Sequence, residues 1–205
     1  MPLEEATRQR IQELVDNHPV LLFMKGERGA PQCGFSATVV QLLDQLVADY
    51  ETRDVLSDPE LRAGIKEFSE WPTIPQLYVK GEFVGGCDII TELYDSRELH
   101  TLFGLDTENA TAPTIEISET ATGALVQGLS QAPPDQVLRL LVDARHQARL
   151  VISPSDPSDF VVHSGDVTLH VDPLTAARAQ DAKIDAESTR RGMALKVLLP
   201  HAPAG

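Results

Sequence analysis

Apolar residues fall into short, differently spaced groups along the chain. Ile11, Leu14 and Val15 repeat at helical spacing within Ala6 to Val15, and Pro19 stops that run. "VLLFMK" from Val20 is apolar at every position but the last, as a strand covered on both faces is. From Gly34, residues Val39, Val40, Leu42, Leu43, Leu46 and Val47 mark one face of a second helix. Tyr50 to Leu56 reads as a strand, Pro59 to Phe68 as a helix capped by Asp58, and "PQLYVKGEFVGG" as two strands around Lys80-Gly81. A last helix begins near Asp88, so the order αβαβαββα predicts an α/β sheet with helices on both faces.

"DTENATAPT", Asp106 to Thr114, breaks both periodicities, which places a first domain over 1–106, a linker over 107–113 and a second domain over 114–205. Beyond it the pattern predicts one helix, Ser118 to Leu129, followed by strands at Val137 to Val142, Ala148 to Ile152, Phe160 to His163, Val167 to Val171 and Ala194 to Leu199. That half reads as α+β, with mainly antiparallel strands.

The chain carries a formal net charge of -14, and a phosphate-backbone partner needs the opposite. The acidity is uneven: residues 1–106 hold nine Lys or Arg against nineteen Asp or Glu, and residues 107–205 hold eight against twelve. Two cysteines, no apolar leader and no membrane-length run point to a protein of a reducing, cytoplasmic compartment without nucleic-acid or membrane partners.

Cys33 closes the loop "MKGERGAPQ" just before the helix from Gly34, where backbone N-H groups and the positive dipole end favour thiolate. Lys25, at the end of the preceding strand, adds a positive charge. A buried small filler is the plainer reading of a cysteine, but the loop-to-helix junction favours reactivity. Ser36 stands where a resolving cysteine would be. Far off in sequence, "WPTIPQLYVKGEFVGGCDI" places Pro75 at the mouth of a strand, where a cis Ile74-Pro75 bond would turn the backbone of Ile74 outward for a peptide-like ligand. Gly85 and Gly86 allow close approach, and Cys87-Asp88 open a helix N-terminus.

Taken together, "CGFS" at Cys33 to Ser36, the preceding Lys25-Gly26, "WPTIPQLY" and "GGCD" resemble the monothiol glutaredoxins of the CGFS type, over roughly Leu3 to Leu105. The resemblance implies a thioredoxin-like fold that binds glutathione and a 2Fe-2S cluster. It implies Cys33 as cluster ligand, Lys25 and Arg62 on a glutathione carboxylate, Ile74 pairing through its backbone, and Gly86, Cys87 and Asp88 at the γ-glutamyl end. Four thiolates would then come from two chains and two glutathiones, bridging a homodimer or a heterodimer with a BolA-type protein, for delivery to apo iron-sulfur clients. The competing readings are monothiol glutathione-dependent exchange at Cys33, with Cys87 as a resolving thiol, and a redox-sensing adaptor.

The second half resembles more loosely the A-type, HesB-like iron-sulfur carriers, through "VDPLT" and the strand order, but it lacks their three cysteines. His146 and His201 stand in the corresponding stretches; His163 and His170 lie in adjacent strands, with His170 expected to face solvent. Asp143, Arg145 and Arg149 read as a solvated edge. This half is expected to be a degenerate carrier domain kept for docking or dimer geometry.

Overall fold

The apolar run at Val20 becomes the centre of the first sheet because it has no polar face to give to solvent. In the computed structural model, which describes residues 4–105, 107–189 and 192–202, the chain forms two compact units, Met1–Gly104 and Leu105–Gly205. Asp106, where the sequence reading ends its first domain, lies outside the described residues.

In the first unit, β1 (Val20–Met24) pairs in parallel with β4 (Glu51–Asp54) and antiparallel with β5 (Gln76–Val79), which pairs in turn with β6 (Glu82–Gly85). The sheet order is β4-β1-β5-β6. Leu21, Leu22, Phe23 and Met24 are wholly buried, as helices on both faces require. Helix α1 (Glu5–Asn17) buries Ile11 and Val15, and α3 (Pro59–Phe68) buries Leu61 and Ile65 in the same cluster. The Asp58 carboxylate caps α3 by accepting from the Leu61 N-H at 2.9 Å. Helix α2 (Gly34–Leu46) buries Val39, Val40, Leu43 and Leu46, and α4 (Cys87–Asp95) and α5 (Glu98–Leu102) complete the unit. This is the thioredoxin-like layout that the resemblance implies.

A two-stranded hairpin, β2 (Gly26–Glu27) and β3 (Ala30–Pro31), was not foreseen in the loop before Cys33. It is pinned at its base and at its tip. At the base, the Gln32 N-H donates to the Lys25 carbonyl and the Gly26 N-H donates to Asp54 Oδ1, both near 2.9 Å. At the tip, the Arg28 guanidinium donates to Asp44 Oδ1 of α2 and lies 3.9 Å from the centre of the Tyr50 ring. Gly26 has φ of 83°, and a Cβ there would meet the Ala30 carbonyl oxygen at 2.6 Å, so this corner needs glycine.

The second unit adds β7 (Ile115–Ile117), α6 (Glu119–Leu129), β8 (Gln136–Val142), β9 (Ala148–Pro154), β10 (Phe160–Ser164), β11 (Val167–Val171), α7 (Pro173–Arg178), β12 (Ala182–Thr189) and β13 (Gly192–Leu198). Two sheets, ordered β10-β11-β8-β9 and β13-β12-β7, share a core that includes Leu125 of α6, Leu140, Leu169 and Ile184. The pairs β8·β9, β10·β11 and β12·β13 are antiparallel; β8·β11 and β7·β12 are parallel.

Four features of this unit depart from the sequence reading. Strands β7 and β12 were not foreseen, and "VDPLT" continues from a turn into α7, capped by Asp172 on the Leu174 and Thr175 N-H groups. His170 does not face solvent: its side chain is 16% exposed and lies 4.0 Å from Asp159 Oδ2. Asp143 belongs to no solvated edge either, because it is 9% exposed and its Oδ1 accepts from the Arg145 and Gln147 N-H groups, which builds the β8-β9 turn.

Candidate functional site

Helix α2 starts where the hairpin ends, so Cys33 occupies its N-cap in extended conformation, φ -153° and ψ 137°. The thiol is held below the ordinary cysteine value. The Ser36 backbone N-H does most of this; the Phe35 N-H, the Lys25 charge and the Ser36 hydroxyl add to it, and slight burial opposes. Ser36 itself is fully buried, and its Oγ accepts from the Lys25 N-H at 3.1 Å. The fourth residue of "CGFS" therefore ties the end of β1 to the first turn of α2.

Beside this thiol lies a cleft of about 340 Å³. Its wall includes Lys25 from the end of β1, Arg62 from α3, Ile74 from the loop before β5, and Gly86, Cys87 and Asp88 from the start of α4. Residues spread from 25 to 88 thus converge on one concavity. Cys33 is not part of the wall, but it lies near enough to Cys87 for the two to interact electrostatically. Burial pushes the Cys87 thiol up, and the charges of Asp88 and Cys33 push it the same way, so the two cysteines are polarised in opposite senses. Both are free thiols.

The Ile74-Pro75 bond is cis, the isomer that the sequence reading names as tolerated there. Gly85 has φ of 154° and a Cβ there would meet Ile89 Cβ at 2.7 Å; a Cβ on Gly86 would come within 3.0 Å of Trp71 Nε1. The two glycines accordingly let β6 turn tightly into α4 and keep the cleft floor open. No ion pair forms at Lys25, Arg62 or Lys66 among the described residues, so three cations without an ion-pair partner line the cleft together with Asp88 at the helix N-terminus.

Sequence reasoning missed four contributors. Phe35, 61% exposed, and Lys66, one turn after Arg62, also line the cleft. Trp71 lines it too and is buried at Nε1 without a hydrogen-bond partner. Gln76 is wholly buried and its Nε2 donates to the Trp71 and Thr73 carbonyls, which fixes the loop that carries Ile74. Only Lys66 left a signal in the sequence, through its i, i+4 spacing from Arg62 on an amphipathic helix.

The second unit's histidines are dispersed. His163 Nδ1 lies 3.1 Å from Thr168 Oγ1, His201 Nε2 lies 3.3 Å from Asp181 Oδ2, and His146 has φ of 59° in the β8-β9 turn. Among the described residues no group of three or more His, Cys, Asp or Glu could hold a metal ion, and no helix is long and apolar enough to cross a membrane.

Residues 20–84 match the family model of glutaredoxins. An uncharacterized monothiol glutaredoxin of Synechocystis is 57% identical over 96 residues, a match that covers 47% of this chain and 90% of that protein. Among solved structures, reduced apo GrxS14 of poplar is 51% identical, over 49% of this chain and 93% of that one, with a TM-score of 0.44. A buckwheat glutaredoxin-glutathione complex is 26% identical over 49% and 89%, with a TM-score of 0.44.

Proposed function

We propose, on the premise that this chain belongs to the monothiol glutaredoxin family, that its first unit binds glutathione in the cleft beside Cys33 and with it carries a 2Fe-2S cluster to apo iron-sulfur proteins. The observation that supports this reading most is the pairing of an acidified Cys33 with a buried, hydrogen-bonded Ser36. A second thiol at that place would compete for Cys33 as a disulfide partner, whereas the serine oxygen accepts from the Lys25 N-H and its hydroxyl favours the Cys33 thiolate. Lys25 and Arg62 suit the glycyl carboxylate of glutathione, the Ile74 backbone suits its peptide, and Gly86, Cys87 and Asp88 at the start of α4 suit its γ-glutamyl end.

The donor set fits such a cargo only in a shared form. One chain offers a single acidified thiolate, so four sulfur ligands require two chains and two glutathione thiols, or a BolA-type partner in place of one chain. The cluster is then held partly by exchangeable ligands, which suits transfer in a reducing, cytoplasmic compartment. Anaerobic reconstitution with iron, sulfide and glutathione tests the reading. A visible charge-transfer band, and an increase in size over the iron-free chain at the same concentration, both requiring Cys33 and glutathione, are expected; a Cys33→Ser chain that assembles the same cluster without glutathione overturns it.

Thiol exchange is the second reading, favoured by the same acidified sulfur. Cys33 thiolate attacks the glutathione sulfur of a protein mixed disulfide, releasing the protein thiolate and forming a Cys33-glutathione disulfide. A second glutathione thiolate then attacks that disulfide, restoring Cys33 and leaving oxidised glutathione. Turnover of a glutathionylated peptide that survives Cys87→Ser but not Cys33→Ser is the result expected of it.

A further inference from the structure

The strand β13 is paired on one side only. Its sheet runs β13-β12-β7, so among the described residues its outer row of backbone groups meets no strand. Met193, Leu195 and Leu198 on it are 49%, 41% and 47% exposed, three large apolar side chains in seven residues. Open edges of this length are ordinarily blunted by charge, proline or a bulge, and β13 has a single charge, Lys196, with neither of the others.

We propose that β13 is a self-association edge, along which two copies of this chain pair antiparallel about Leu195 and join two three-stranded sheets into one of six. The register follows from the residues. Centred on Leu195, the whole strand is used: Gly192 faces Leu198 of the second copy, Met193 faces Val197, and Lys196 faces Ala194. The face of β13 that carries Met193, Leu195 and Val197 lies over Ser188, Ala186 and Ile184 of β12, so these three residues of the two copies meet on one face, while Leu198 falls on the other, opposite Gly192 of the second copy.

The opposite face supplies the charge complementarity that selects a second copy. Ala194 stands beside Glu187 of β12, and Lys196 stands beside Asp185. In the dimer the row across the joined sheet reads Glu187, Ala194, then Lys196 and Asp185 of the second copy. The two strand spacings between Glu187 and that lysine amount to about 10 Å, which a glutamate and a lysine span over an intervening alanine. Sliding the pairing by two residues toward the C-terminus sets Lys196 against Lys196, which is unfavourable, and sliding by one exchanges the faces. Repulsion between copies is also least here: of the fourteen excess negative charges, residues 107–205 carry only four, twelve acidic residues against eight basic.

Sedimentation of the full chain carrying Cys33→Ser, reduced and without iron or glutathione, tests this independently of any cluster-bridged dimer. A concentration-dependent dimer is expected, with amide exchange over residues 192–198 slowing as concentration rises. Lys196→Glu, which places acid near Glu187 of the second copy at two symmetric positions, should weaken the dimer by about tenfold. Adding Glu187→Lys to that variant should restore it. A chain that stays monomeric to several hundred micromolar, or a dimer indifferent to Lys196→Glu, overturns the proposal; because Lys196→Glu also sets acid beside Asp185 of the same chain, an unchanged circular-dichroism spectrum of the single variant is the control that it has folded.

Discussion

Replacing Ser36 by alanine separates what the hydroxyl does for the fold from what the helix N-terminus does for the thiol. The hydroxyl oxygen is the acceptor of the Lys25 N-H, in a residue with no solvent exposure. Its removal leaves a part-buried donor without that partner, which costs about 1–2 kcal/mol, the lower part of the usual range because Lys25 itself is only half-buried. For a unit of this size the melting temperature falls by about 4–15 °C. The thiol should change far less. The largest influence on Cys33 is the Ser36 backbone N-H, which alanine keeps, and the hydroxyl is the smallest. Trp71 is the chain's one tryptophan, so its fluorescence in a urea titration reports the first unit alone. The pH profile of Cys33 alkylation reports the thiol. A Ser36→Ala chain of unchanged stability whose alkylation midpoint rises by a full pH unit refutes the assignment.

Four further outcomes follow from the same structure. Alkylation of Cys33 should reach half its limiting rate below the ordinary thiol pH and that of Cys87 above it, mass spectrometry distinguishing the two; the reverse order contradicts the polarity of the pair. Because the folded pKa of Cys33 is depressed, its contribution to stability is complete above the unfolded value and is lost as pH falls through the folded one, so Cys33→Ser should flatten stability against pH on the alkaline side. Arg28→Met removes the ion pair to Asp44 and the stacking on Tyr50, so it should cost about 1 kcal/mol in the Trp71 transition, with most of the loss reproduced by Asp44→Asn. Arg139→Met strands Asp159, whose carboxylate is wholly buried against that guanidinium at 2.6 Å, and should cost about 3 kcal/mol; calorimetry should show this in the second unit while the Trp71 transition stays put.

Legibility differed sharply between kinds of element. The chain from Val20 to Met24 could only be an interior strand, since nothing in it tolerates water, and α2 followed from six apolar positions at helical spacing. Strand β12 was missed although Ala182, Ile184 and Ala186 alternate inward with Lys183, Asp185 and Glu187 outward. Alanine, lysine and the acids are poor strand formers, and only pairing to β7 and β13 on its two sides makes the segment extended. His170 alternates as expected, but a loop residue, Asp159, folds over it, which no periodicity within β11 encodes.

At the candidate site the sequence by itself determined the chemistry on offer. A cysteine at a helix N-cap acquires backbone donors wherever it occurs, and X-Pro and Gly-Gly steps bring their own backbone freedom or constraint. Tertiary structure alone decided what those groups share. Convergence of Lys25, Arg62, Ile74 and Cys87 on one cleft, Trp71 over Gly86, and the Ser36 hydroxyl beneath Lys25 depend on contacts between residues 11 to 62 positions apart. Local spacing sets which face a side chain takes; only the packing of helices against a sheet sets which distant face it meets.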